Sequence, residues 1–230
     1  MQKDSGENFA KKEGKIKIPD YTKTEELINM ISHIVGAVCG MVFLIILLIV
    51  TTKNNNTRGV VSSVVYSLSV MLLYACSAYY HGLKKGAPKK VFRVLDHCSI
   101  YLLIAGTYTV IALSGIVPHF KAVGWFMFGS VWALSVLGIV LNAVSIEKFK
   151  VISMVLNILI GWFAVFFAGR VIESISVNGF LLVIAGGLCY TIGAVLYGIG
   201  KKKRYFHSVF HIFCLAGTIV QFVGIVLYSV

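Results

Sequence analysis

His207-Ser208-Val209-Phe210-His211 sets two imidazoles four residues apart, one above the other on a single helix face. That spacing suits two ligands of one metal ion. Two interfacial histidines, bonded to water or headgroups just past the basic run from Lys201 to Arg204, would give the same pattern. Ser77-Ala78-Tyr79-Tyr80-His81 repeats the spacing and adds a third imidazole with a hydroxyl one turn away. The Ser77 hydroxyl could bond a ligand or a bound water, or back-bond to its own helix. Asp96, one turn after Arg93, is the only carboxylate inside an apolar run. An Asp at a bilayer centre costs roughly 2.5–3.5 kcal/mol, so its retention points to a role. It could act as a base or orient a water beside a metal, or pair with Arg93 at the interface.

Neighbouring His97 points about 100° round the helix from Asp96, so it cannot share that role and is read as structural or as a group supporting the metal's surroundings. Glu26, Asn29 and His33 fall at i, i+3 and i+7, one stripe on a helix. They are read as a hydrogen-bond network holding that helix against its neighbours. His119, beside Pro118, is read as a surface histidine without a partner.

The elements that must position these residues follow from composition. The 230 residues are 58% hydrophobic and 13% charged, with a mean hydropathy of +0.86, far outside the range of soluble domains. Seven apolar runs cover residues 31–51, 60–81, 93–114, 121–141, 151–169, 178–199 and 206–229. About 20 helical residues cross a hydrocarbon core of about 30 Å, so each run is long enough. The runs are continuous, without the alternation of barrel strands, which predicts an all-α membrane protein built as a seven-helix bundle. Residues 22–230 are expected to form that one domain, after a polar, mobile cytoplasmic tail over residues 1–21. Thr22 and Glu25 have capping-box spacing and predict a helix starting at Lys23.

The net charge of +12 is a matter of topology and not of nucleic-acid binding. If the runs alternate sides, 17 of the 21 Lys and Arg residues fall on the side shared by the N-terminal tail and the second, fourth and sixth loops. Cytoplasmic loops attract Lys and Arg, which predicts a cytoplasmic N-terminus, an outside Val230 and a multi-pass protein of the plasma (inner) membrane. The polar first 25 residues do not read as a cleavable signal peptide, so the first apolar run is expected to direct insertion. All five cysteines, Cys39, Cys76, Cys98, Cys189 and Cys214, lie in apolar runs, which argues for packing and against a disulfide framework. Gly36 and Gly40 and the glycines of the sixth run are read as close helix contacts, and Trp125, Trp132 and Trp162 as interface anchors and core filling.

Five of the six histidines thus fall near the cytoplasmic ends of four different helices. Three histidines with a fourth position open to water describe a catalytic zinc arrangement. Copper, iron and nickel also accept imidazole.

At these residues the chain resembles the hemolysin III family, the bacterial branch of the progestin and adipoQ receptor superfamily that includes the adiponectin receptors. The matches are Glu26-x2-Asn29-x3-His33, Ser77-x3-His81, the unbroken run from Asp96-His97-Cys98-Ser99 to Gly106-Thr107-Tyr108-Thr109, and His207-x3-His211. The resemblance implies seven helices, an inside N-terminus and a Zn2+ ion held by His81, His207 and His211 plus water. It also implies that Asp96 contacts that water with Ser77 beside it. Related alkaline ceramidases share the set and hydrolyse lipid amides. Val110 departs from the family, in which many members have Pro after the Gly-Thr-Tyr-Thr run, and this removes one reason for a kink in the third helix.

Three functions follow as expectations. The first is zinc-dependent hydrolysis of an amide or ester bond in a membrane lipid, with Asp96 and Ser77 as catalytic residues. The second is a receptor or sensor of membrane lipid state with a structural zinc. The third is a hemolysin-like pore, which the apolar spans support least because none carries the polar stripe of a conduit.

Overall fold

The computed structural model describes residues 16–200 and 203–230, and among them every regular element is helical. Residues 1–15 of the expected tail lie outside the described residues. Helix α1 is Lys23–Lys53, α2 Thr57–Gly82, α3 Ala87–Val110, α4 Lys121–Gly161, α5 Ala168–Gly200 and α6 Phe206–Tyr228. Among the described residues, five stretches are long and apolar enough to cross a membrane, including a 78-residue one, Lys121–Gly198, that joins α4 and α5. The chain is an all-helical membrane protein.

Local chemistry sets the helix ends. Thr22 accepts from the Glu25 N–H at 3.2 Å, and the Glu25 carboxylate accepts from the Thr22 N–H at 2.9 Å. This is the capping box that the sequence predicts. Asn56 caps α2 by accepting from the Gly59 N–H at 2.8 Å, while its amide donates to Ser114 at 2.8 Å. Pro88 occupies the first turn of α3, where its missing N–H costs nothing. After Val110, which keeps helical angles, the chain widens into a π-helical turn over Ile111–Ile116.

The long α4–α5 stretch is interrupted at two serines. Ser145 is extended (φ −169°, ψ 106°) and Ser176 lies at φ 65°, ψ 168°. Each accepts from a backbone N–H three residues on, Ser145 from Lys148 at 3.3 Å and Ser176 from Gly179 at 3.4 Å, so each caps the helix that follows. The loops expected over residues 142–150 and 170–177 are therefore helical except at these single positions. A 3-10 turn, Phe163–Phe167, falls inside the run read from sequence as 151–169.

Helix α1 packs on α2 and α6, α2 on α3, α3 on α4, and α5 on α6. Tyr66, Tyr74 and Tyr101 are fully buried between them. The Tyr74 hydroxyl shares a 2.7 Å hydrogen bond with Thr218, and Tyr101 donates to the Ser153 carbonyl at 2.9 Å, which satisfies polar atoms inside an apolar interior. Trp132 and Trp162 likewise bond across helices, to Thr109 and Thr191 at 3.0 Å. The outer face exposes Ile45, Val144, Leu159, Phe166 and Leu227, as lipid contact requires. All five cysteines are free thiols.

Side-chain contacts show which connections share an end of the bundle. Arg93 at the start of α3 bonds Glu147, just past the Ser145 break, at 2.7 Å. At the other end the Arg170 guanidinium lies 4.6 Å above the Phe120 ring.

Candidate metal centre

His81 ends α2, while His207 and His211 occupy the first two turns of α6. All three are buried, and one ring nitrogen from each lies within 4.8 Å of the others. The Nε2 atoms of His207 and His211 are 2.9 Å apart. The entry to α6 is fixed by Tyr205, which takes a left-handed conformation (φ 65°) and donates its N–H to Glu25 at 2.8 Å. The residue that caps α1 therefore also pins the turn that presents His207.

The polar stripe of α1 touches the histidines directly. Glu26 accepts from His81 Nδ1 at 2.6 Å, and its other oxygen accepts from the buried Lys89 ammonium, also at 2.6 Å. Asn29 lies 3.4 Å from the same His81 nitrogen, a weaker contact. His33 Nε2 is hydrogen-bonded to His211 Nδ1, and the His33 ring stands edge-on to Tyr74 with centroids 4.9 Å apart. These bonds set tautomers. With Nδ1–H given to Glu26, His81 keeps a lone pair on Nε2, and that atom is buried without a partner.

A buried nitrogen without a partner costs about 1–3 kcal/mol, so the arrangement is unfavourable unless something else binds there. Neutral imidazole lone pairs converging in a buried space fit a divalent cation of the zinc type. The surrounding bonds to Glu26 and His33 are of the kind that orient metal-bound histidines. The three histidines could hold a metal ion.

The Asp96 carboxylate lies outside this group, 3.6 Å from His97 Nδ1. Its side chain is largely buried, 15% exposed. It is not the partner of Arg93, which Glu147 takes. His97 donates to the Arg93 carbonyl at 2.9 Å, and His119 is exposed; both agree with their sequence readings. Ser77 is fully buried, and its hydroxyl has no partner.

Sequence reasoning did not find Tyr21. Its ring stacks on His207 with centroids 4.7 Å apart and planes 11° from parallel, and it lies 5.7 Å from His81. Burial pushes its phenol above the ordinary value. Next to it, the hydrogen bond and charge of Lys85 hold the Asp20 carboxyl below the usual carboxylate range. The only signal for Tyr21 was an aromatic beside a capping box, within a segment whose composition otherwise reads as tail.

Comparison with known proteins agrees with the motif-based resemblance. The family model described as Haemolysin-III related matches residues 21–222. Hemolysin-3 of Bacillus cereus is 34% identical over 207 residues, covering 89% of this chain and 91% of the relative. The Hemolysin-3 homolog of Bacillus subtilis (strain 168) is 30% identical over 210 residues, covering 91% and 97%. More distantly, the human Monocyte to macrophage differentiation factor is 23% identical over 172 residues, covering 72% and 69%. The chain belongs to the haemolysin-III related family.

Proposed function

We propose that this haemolysin-III related protein is a seven-pass protein of the plasma membrane that binds zinc through His81, His207 and His211 and hydrolyses an amide or ester bond of a membrane lipid. The convergence of three buried imidazoles, each in reach of the other two, is the observation that carries the reading. The count of seven is supported by the breaks at Ser145 and Ser176, which divide a stretch that would otherwise extend about 117 Å as one helix. The Arg93–Glu147 and Arg170–Phe120 contacts support the same count, since Arg93 starts α3 and Phe120 follows its far end.

A bound zinc ion supplies Lewis acidity, which makes water more acidic and polarises a carbonyl. The chain's own groups do the rest. Glu26 holds the proton on His81 Nδ1 and leaves Nε2 free, and His33 orients His211. An Asp96 oxygen takes a proton from a water brought between it and the histidines, and the buried Ser77 hydroxyl bonds that water or the substrate.

The test is metal analysis of purified protein beside His207→Ala. Zinc near one equivalent is expected in the wild type and a strong loss in the variant; equal metal content would remove the site. Lipid turnover is then compared with Asp96→Asn, which should fall about 100-fold or more.

The second reading, a sensor of membrane lipid with structural zinc, is favoured by Tyr21, which covers one face of His207. Zinc-loaded protein that hydrolyses no amide or ester lipid would support it.

A further inference from the structure

Above His207 lies a cavity of about 700 Å³, a size typical of small-ligand sites. One wall is the segment Lys17 to Thr22, and the others come from α1, α3, the helix after Ser145, α5 and the turn before α6. Five cations line it, Lys17, Arg93, Lys150, Lys203 and Arg204, against three carboxylates. Each of those carboxylates is already engaged. Asp20 pairs with Lys85, Glu25 accepts from Thr22 and Tyr205, and Glu147 pairs with Arg93. Among the described residues, Lys17, Lys150, Lys203 and Arg204 form no ion pair within 4.0 Å, although Arg204 lies near Glu25, Lys150 near Glu147, and Lys203 over the Phe206 ring.

Topology accounts for basic loops on this side, but not for their meeting round one cavity that ends at a candidate ligand histidine. Four cations from three separate segments around a concave space, none held in a close ion pair, match the several oxygens of a phosphate group, which takes charge-assisted hydrogen bonds from Lys and Arg. We propose that this cavity binds a phosphate-type anionic headgroup, so that the lipid presented to His207 carries a phosphate and is not a neutral lipid. As a statement about substrate, this rests on the hydrolase reading.

The experiment is calorimetric titration of the purified full-length protein in non-ionic detergent with dihexanoyl phosphatidic acid, dihexanoylglycerol and inorganic phosphate. Wild type is compared with Lys150→Gln/Arg204→Gln and with Lys121→Gln, which removes a charge from the other end of the bundle. Phosphatidic acid should bind far more tightly than dihexanoylglycerol and more weakly as salt rises, and the double variant should lose about tenfold or more in affinity while Lys121→Gln changes it less than about twofold. Unchanged thermal unfolding of the double variant excludes a folding defect. Inorganic phosphate that binds as tightly as phosphatidic acid would identify a free anion as the occupant of the same cavity; weaker binding identifies the lipid. Equal affinity for the neutral and anionic lipids, or no loss in the double variant, overturns the proposal. The titration reads binding and not turnover, so protein that binds phosphatidic acid but hydrolyses nothing refutes only the hydrolase reading.

Discussion

Glu26 is the residue on which the histidine arrangement leans most, because it holds His81 with one oxygen and the buried Lys89 with the other. Glu26→Gln keeps the shape and removes the charge. Metal affinity, measured by competition with a chelator, should fall 10–100-fold, the usual effect of losing a group that orients a metal ligand. Stability should fall too, by about 1–3 kcal/mol, because the buried Lys89 loses its counter-charge and keeps only the Leu83 carbonyl and the Tyr80 ring. Adding Lys89→Met should restore the unfolding temperature but not the metal affinity, and recovery of both would show that Glu26 serves only Lys89. The histidines themselves were legible in the sequence because i, i+4 spacing survives without knowledge of the fold. Glu26 and His33 were legible as part of a network holding the first helix to its neighbours, but not their partners, which stand 55 and 178 residues away. The stripe was visible, but what it faced was not.

At the scale of elements, the pattern of apolar runs located the α-helices of the described residues, and the differences lie at the joins. Glu147, Lys148 and Lys150 read as a loop, yet they form the polar first turns of a helix capped by Ser145. Hydropathy cannot separate a loop from a capped polar turn; only backbone angles do. Ser176 offers a direct check because its φ of 65° lies where side chains are strained and glycine is not. Ser176→Gly should raise the thermal midpoint, by an amount equivalent to about 1 kcal/mol, since glycine relieves the strain and caps almost as well. Ser176→Val should lower it. Small residues in α1 carry the opposite constraint. A side chain at Gly36 would overlap the Tyr74 ring that stands against His33, so Gly36→Val should cost about 1–3 kcal/mol in unfolding measurements and weaken metal binding with it.

For the whole molecule, the question is which side of the membrane the centre faces and how many times the chain crosses. Charge and contacts both bear on it, and labelling tests it. The sequence puts 17 of 21 basic residues on one side, and the structure gathers Arg93, Glu147, Lys150, Lys203 and Arg204 round the cavity beside His207. Five passes and seven passes would both leave the termini on opposite sides, so the termini alone cannot distinguish them. Lys150 and Glu173 can, because they flank only the fifth of seven passes. Single cysteines at Lys53, Lys121, Lys150, Glu173 and Lys203, in a chain whose own five cysteines are replaced by Ala, can be probed with a membrane-impermeant maleimide. Positions 53, 121 and 173 should label in intact cells, and 150 and 203 only after lysis. Labelling of 150 and 173 from the same side would join the 78-residue stretch into fewer passes, and labelling of 203 in intact cells would turn the centre outward. If the centre holds zinc and faces the cytoplasm, an impermeant chelator should strip the metal only after the cells are opened, because His207 lines the basic cavity.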